Sequence, residues 1–144
     1  NNVANSLILS GALLGVEVRI ACPRKYAPES SVIGKANEIG YKNVIVTDDI
    51  DRAVNGANVL YTDVWSSMGE EDCKDEKDKD FEGFTINSSL LKKADKDAII
   101  LHCLPAYRGK EITDEVIESK QSKIFDQAEN RMHVQQALLY FLLN

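Results

Sequence analysis

Cysteine, proline, histidine and tryptophan are all scarce in this chain, at three, three, two and one among 144 residues. Cys22, Cys73 and Cys103 are odd in number and far apart, which argues against both a disulfide framework and the close pairs of a zinc ribbon. That usage suits a reducing, cytoplasmic setting. Uninterrupted apolar stretches are short, and none approaches the roughly 18–20 residues that span a bilayer. No basic segment precedes an apolar stretch near the start, so no secretory leader is expected. Basic charge is also in deficit: 17 Lys and Arg against 23 Asp and Glu leave a net charge of −6. Nucleic acid and anionic membrane both need a basic face, so neither is expected as a main partner. A local anion site stays compatible with this balance. What is present is an ordinary folded-domain mixture, 44% hydrophobic and 28% charged. The length fits one domain with a single core.

Two patterns alternate along the chain. Short β-branched runs at 16–21, 43–46, 59–62, 98–101 and 123–125 read as buried strands. Helical stretches lie between most of them, at 2–14, 31–39, 49–55, 88–93 and 113–119, and a last helix covers 127–143. Gly15, Gly40 and Gly56 stand just past three helix ends, where a left-handed stop is common. Thr113 suits an N-cap, and Asp126 with Glu129 resembles a capping box for the last helix. This alternation predicts an α/β fold, a Rossmann-like, mostly parallel sheet flanked by helices. The chain opens directly into a helix, so its first strand is expected to be missing, lying before Asn1. Residues 69–80 break the pattern, being highly charged with no apolar face. They read as a solvated loop, and the stretch 66–80 is expected to be the most mobile part of the chain.

Ligands of open parallel sheets bind beyond the carboxyl ends of the strands. Asp63, the pair His102-Cys103, and the segment from Asp126 to Arg131 each directly follow a predicted strand, and Asn1-Asn2 would follow the missing one. Each alone has a plain reading. Asp63 could cap a turn, Trp65 could be a packing anchor, His102 a satisfied buried histidine and Cys103 an inert thiol. Together they favour a ligand cleft. Arg131 sits in the first turns of a helix, where the macrodipole disfavours a cation. A surface bridge to Glu129 or Asp126 would explain it, and an anionic substrate would explain it better. His133 is two residues on and points elsewhere.

Taken in order, Asn1-Asn2 at a helix start, TDVWSSMG at 62–69, HCLPAYRG at 102–109 and FDQAENR at 125–131 resemble the carboxyl-terminal, ornithine-binding domain of ornithine carbamoyltransferases. The resemblance covers nearly the whole chain. It implies transfer of the carbamoyl group of carbamoyl phosphate to the δ-amine of L-ornithine, giving citrulline and phosphate, with no metal and no organic cofactor. It implies ornithine contacts from Asn2, Asp63, Ser67 and Met68, and carbamoyl phosphate contacts from Cys103, Leu104 and Arg131. Asp63, Cys103 and Arg131 would be the catalytic set. Residues 1–144 would then be a partial ornithine-binding domain, inactive alone. Its partners would be an absent carbamoyl-phosphate-binding domain and further copies in a homo-oligomer, a trimer or a multiple of one. Tyr107 stands where histidine is commoner in the motif. Aspartate carbamoyltransferases share the fold and putrescine carbamoyltransferases share the strand ending in Asp and Trp, and the Ser67-Met68-Gly69 sequence favours ornithine over both. A non-catalytic amino-acid-binding module is the alternative from another class.

Overall fold

The computed structural model describes residues 1–39, 43–66 and 74–144. Helix α1 (Asn2–Leu14) is capped by Asn1, whose side chain accepts from the backbone N–H groups of Val3 and Ala4. It stops at Gly15, which has φ 69°, a left-handed conformation that glycine adopts without steric cost. Strand β1 (Val18–Ala21) then runs beneath α1. A Cβ on Gly11 would come within 2.4 Å of Val18 Cγ2, so only glycine allows this approach of helix to strand. A short 3-10 turn (Arg24–Tyr26) and α2 (Ser30–Glu38) lead to β2 (Val44–Thr47). α3 (Ile50–Val54), capped by Asp49, precedes β3 (Val59–Thr62). α4 (Lys74–Asp80), α5 (Ser88–Leu91), β4 (Ile99–His102), α6 (Asp114–Ile117) and α7 (Ile124–Leu143) complete the order.

The fold is α/β with parallel strands, as the alternation of patterns predicts. The strands form two parallel pairs, β1 with β2 and β3 with β4. Leu60 and Ile100 pair at the centre of the second, and both are buried. Around them Val54, Ile86, Ile112, Val116, Ile117 and Ile124 complete one core. A smaller core of Ile8, Ala12 and Ala36 lies between α1 and α2. Among the described residues no helix is long and apolar enough to cross a membrane.

Three expectations are corrected. The run 123–125 is not a strand. Ser122 forms a single bridge to Ile100, and Lys123 N–H donates to Ile100 O at 2.9 Å before α7 begins at Ile124. Ile124 is buried while Phe125 is exposed, the sidedness of a helix start. Consequently Asp126 lies inside the first turn of α7, and Lys123, which makes no side-chain capping bond, occupies the cap. The acidic stretch is not wholly a loop either, because residues 74–80 are the helix α4. Three of its four acids are held by neighbours: Glu76 pairs with Lys25, Asp78 pairs with Lys110, and Asp80 accepts from Tyr26 Oη at 2.7 Å. The rest of the stretch expected to be mobile, 67–73, lies outside the described residues, as does Gly40. Thr113 does occupy the cap of α6, although its side chain makes no capping bond.

Candidate functional site

The register of β3 and β4 sets the site. Tyr61 pairs with Leu101 and Thr62 with His102, so Asp63 and Cys103 leave the two strands side by side at their carboxyl ends. Side chains alternate faces along a strand, which puts Tyr61, Asp63, Leu101 and Cys103 on the same side. Cys103 Sγ donates to Asp63 Oδ1 at 3.0 Å. The same oxygen accepts from Val64 N–H at 2.8 Å, and Asp63 Oδ2 accepts from Asn1 Nδ2 at 2.8 Å. Asn1 thus caps α1 with its oxygen and holds Asp63 with its nitrogen. Burial, then the hydrogen bond to Asp63 and its negative charge, push the Cys103 thiol up to about 12. At neutral pH the sulfur is therefore a neutral S–H donor rather than a nucleophilic thiolate.

The chain after Cys103 is bent sharply. Leu104 has φ 56° and is followed by a cis peptide bond to Pro105. A non-glycine residue in the left-handed region, as Leu104 is, persists only where its surroundings over-determine it, and here they do. Leu104 N–H donates to His102 Nδ1 at 2.8 Å, and His102 Nε2 meets Glu111 Oε1 at 3.2 Å. Glu111 Oε1 also accepts from Tyr107 N–H at 2.6 Å. His102 and Glu111 are both fully buried. The satisfied buried histidine is therefore the correct reading of His102. Tyr107 lends its backbone amide, while its ring is exposed.

Gln127, in the first turn of α7, closes the site from a third element. Its Oε1 accepts from His102 N–H at 3.0 Å, and its Nε2 donates to Tyr61 Oη at 3.0 Å. Burial raises the Tyr61 phenol above its usual range, with the neighbouring Cys103 adding to the effect.

The expected residues are thus unevenly placed. Asp63 and Cys103 touch, and Leu104 adjoins them. Asn2 is exposed at the start of α1, and the asparagine that meets Asp63 is its neighbour Asn1. Ser67 and Met68 lie outside the described residues. Arg131 is exposed on α7. Asp126 pairs instead with Lys123 at 3.3 Å and Glu129 faces His133 at 3.4 Å, so neither forms the surface bridge that would have explained Arg131. Trp65 does anchor packing, stacking on Phe81 with ring centroids 5.9 Å apart. Tyr61 and Glu111 were not singled out from the sequence, and Gln127 only as part of the segment from Asp126 to Arg131. The parity of Tyr61 with Asp63 was the available signal for the first, and none existed for Glu111. Among the described residues no group of three or more His, Cys, Asp or Glu gathers to hold a metal. A separate hollow of about 300 Å³ opens beside the Arg24–Asp48 ion pair, lined also by Cys22 and Arg52.

A family profile described as aspartate/ornithine carbamoyltransferase, Asp/Orn binding domain, matches residues 1–142. An ornithine carbamoyltransferase of Prochlorococcus marinus subsp. pastoris is 75% identical over 99% of this chain and 47% of its own length. One from Methanococcus vannielii is 55% identical over 99% of this chain and 48% of its own length. Among solved structures, the anabolic ornithine carbamoyltransferase of Campylobacter jejuni superposes with a TM-score of 0.89 at 42% identity, covering 96% of this chain and 46% of that one. The ornithine transcarbamoylase of Giardia lamblia gives 0.90 at 32% identity, covering 100% and 47%. The chain spans about half the length of the curated relatives it matches.

Proposed function

The chain belongs to the aspartate/ornithine carbamoyltransferase family, and from that premise we propose that it is the amine-substrate domain of an ornithine carbamoyltransferase. The observation that carries this reading is the contact of Cys103 with Asp63 at adjoining strand ends. The δ-amine of ornithine is an alkyl amine with a pKa of about 10.4, so it arrives largely as ammonium. Cys103 is held in its neutral form, which leaves the Asp63 carboxylate as the charge that attracts that ammonium. The amine must lose a proton before its nitrogen attacks the carbamoyl carbon. The bond from that carbon to the phosphate oxygen then breaks, and phosphate leaves with the electron pair. Arg131 is assigned to the carbamoyl oxygen as negative charge develops there, with Cys103 and Leu104 at the same end. Asn2, Ser67 and Met68 are assigned to the amino-acid end of ornithine.

Aspartate as the acceptor fits less well. Its side chain would place a second carboxylate near Asp63, and among the described residues no cation touches Asp63 to offset the repulsion. The carbamoyl phosphate domain is assigned to the remaining half of the relatives' length. The exposed apolar residues of α7, among them Leu138, Tyr140 and Phe141, suit burial against that half. The intact enzyme is read as a cytoplasmic homo-oligomer.

In a full-length enzyme carrying this domain, Asp63→Asn is expected to lower kcat/KM for ornithine by roughly a hundredfold or more, the loss of a charge-assisted contact in a desolvated site. The KM for carbamoyl phosphate should stay near its starting value. Steady-state citrulline assays with each substrate varied in turn would check this, and equal losses for both substrates would overturn the assignment.

A further inference from the structure

We propose that Tyr61 is a positioning residue, held by Gln127, that fixes the direction of the Cys103 thiol so that its hydrogen faces Asp63. The argument rests on which groups can donate. A backbone N–H can only donate, so the atom of Gln127 facing His102 N–H must be the amide oxygen. That orientation turns the Gln127 NH₂ toward Tyr61 Oη. The phenol oxygen is thereby an acceptor toward Gln127, and its own hydrogen is left for another neighbour. Strand parity places that neighbour. Tyr61 pairs with Leu101 in the parallel register, and Cys103 is two residues further along the same face. The proposed partner of the Tyr61 hydrogen is therefore the Cys103 sulfur, which lies near enough to the phenol for each group to shift the other's titration.

The result is a chain of bonds with one direction, from the Gln127 amide to the Tyr61 phenol, to the Cys103 thiol, to the Asp63 carboxylate. The sulfur accepts from Tyr61 on one side and donates to Asp63 on the other. With one lone pair of the sulfur engaged by the phenol, the S–H is turned toward the Asp63 carboxylate. Gln127 also ties three elements together, since α7 supplies it, β4 donates to it and β3 accepts from it. Tyr61 therefore reports the docking of α7 to the thiol. The proposal extends the reading of Asp63 and Cys103 as the amine end of the site. Its test needs no substrate, so its failure and the failure of that reading are separate events.

The test is the rate at which Cys103 is alkylated by iodoacetamide in the purified chain at mildly alkaline pH, followed by peptide mass mapping to separate it from Cys22 and Cys73. The phenol stabilises the thiolate by donating to it, so Tyr61→Phe is expected to slow alkylation roughly tenfold, the worth of a hydrogen bond to a charged acceptor. A variant whose circular dichroism and melting match the parent but whose Cys103 reacts as fast or faster overturns the proposal. A merely structural Tyr61 would give that result, because removing one hydroxyl only opens access to the sulfur. Gln127→Met supplies the second arm. Its effect on Cys103 should largely vanish when Tyr61→Phe is already present, since Gln127 acts through the phenol. Additive effects of the two substitutions would show that Gln127 does not act through Tyr61, and would overturn that half of the proposal. If Tyr61→Phe proves unfolded, the parent's thiol is compared with that of Gln127→Met alone, and an unchanged rate there counts equally against it.

Discussion

The two parallel strand pairs are stabilised in different ways. Around β3 and β4, eight buried side chains from Val54 to Ile124 form one cluster, and the groups of the candidate site hang from its upper edge. Around β1 and β2 the buried cluster is only Ile8, Ala12 and Ala36, with partly buried neighbours such as Val18, Ile20 and Val44. Much of what surrounds that side is charged and near the surface. Arg24 pairs with Asp48 at 2.7 Å, and Lys25 and Tyr26 reach Asp80 of α4. Polar groups that must hold a fixed geometry are thus carried by the half with the dense core. The half with the thin core supplies α1, whose cap residue Asn1 touches Asp63 at its tip. Hydrophobic burial gives shape without direction, and the directed bonds of the site need a frame whose shape is already set.

Deleting a core side chain from each half breaks the comparison most severely. Ile100 and Ile8 are both fully buried. Ile100→Ala should cost about 4 kcal/mol, toward the upper part of the range for such deletions, because dense packing leaves a cavity that cannot collapse. Ile8→Ala should cost about 2–3 kcal/mol, since its partly buried neighbours can move in. Urea unfolding of both variants gives the difference, and equal costs would mean that the two cores are packed alike.

A smaller effect tests the link between the halves. Arg19 of β1 donates through Nη1 to the carbonyl oxygens of Ala53 and Asn55, at 3.3 and 2.7 Å, where α3 ends. Arg19→Met keeps most of the apolar stem and removes the bonds, and should cost about 1 kcal/mol. The loss should appear as faster amide exchange in β1 rather than in β4.

The smallest effect separates the halves by pH. The hydrogen bond from Tyr26, then that from Lys25, hold the Asp80 carboxyl below its ordinary 3.8, and Arg24 does the same for Asp48. A depressed carboxyl pKa contributes stability that is fully present above the unfolded value and is lost as pH falls through the folded one. Acid should therefore weaken the contacts of the 3-10 turn and α4 below about pH 3.8. Asp80→Asn should flatten that dependence. Melting temperatures of the two proteins between neutral and strongly acid pH would converge at the acid end if this is right, and would run parallel if it is not.

The strands were legible because β-branched runs announce them, and two helix ends were marked by glycine, at Gly15 and Gly56. The run 123–125 failed for a physical reason. A Lys-Ile-Phe stretch has no period, and a short apolar run begins a helix as readily as it fills a strand. The charged helix α4 was illegible because its stability comes from Lys25, Tyr26 and Lys110, residues distant in the chain. The meeting of Asp63 and Cys103 could be anticipated from two strands that each end in a reactive residue, and the ordered motifs identified the family. Tyr61 and Gln127 were hidden in plain view. A tyrosine inside an apolar strand reads as core, and a glutamine at a helix start reads as surface, until the register brings them together. Glu111 resembled any loop acid, and only the buried ring of His102 distinguishes it.

That ring also carries a built-in reporter. Because Nδ1 of His102 accepts from the Leu104 amide, it holds no hydrogen, and the neutral imidazole must be the Nε2–H tautomer, with that hydrogen directed at Glu111. The chain has only one other histidine, His133, which is exposed on α7. A nitrogen-15 spectrum of the imidazoles therefore contains one buried ring locked in a single tautomer and one on an exposed helix face, beside Glu129. The locked pair of resonances is a direct gauge of whether the bend at Leu104 is formed, readable without a substrate, a partner domain or a crystal.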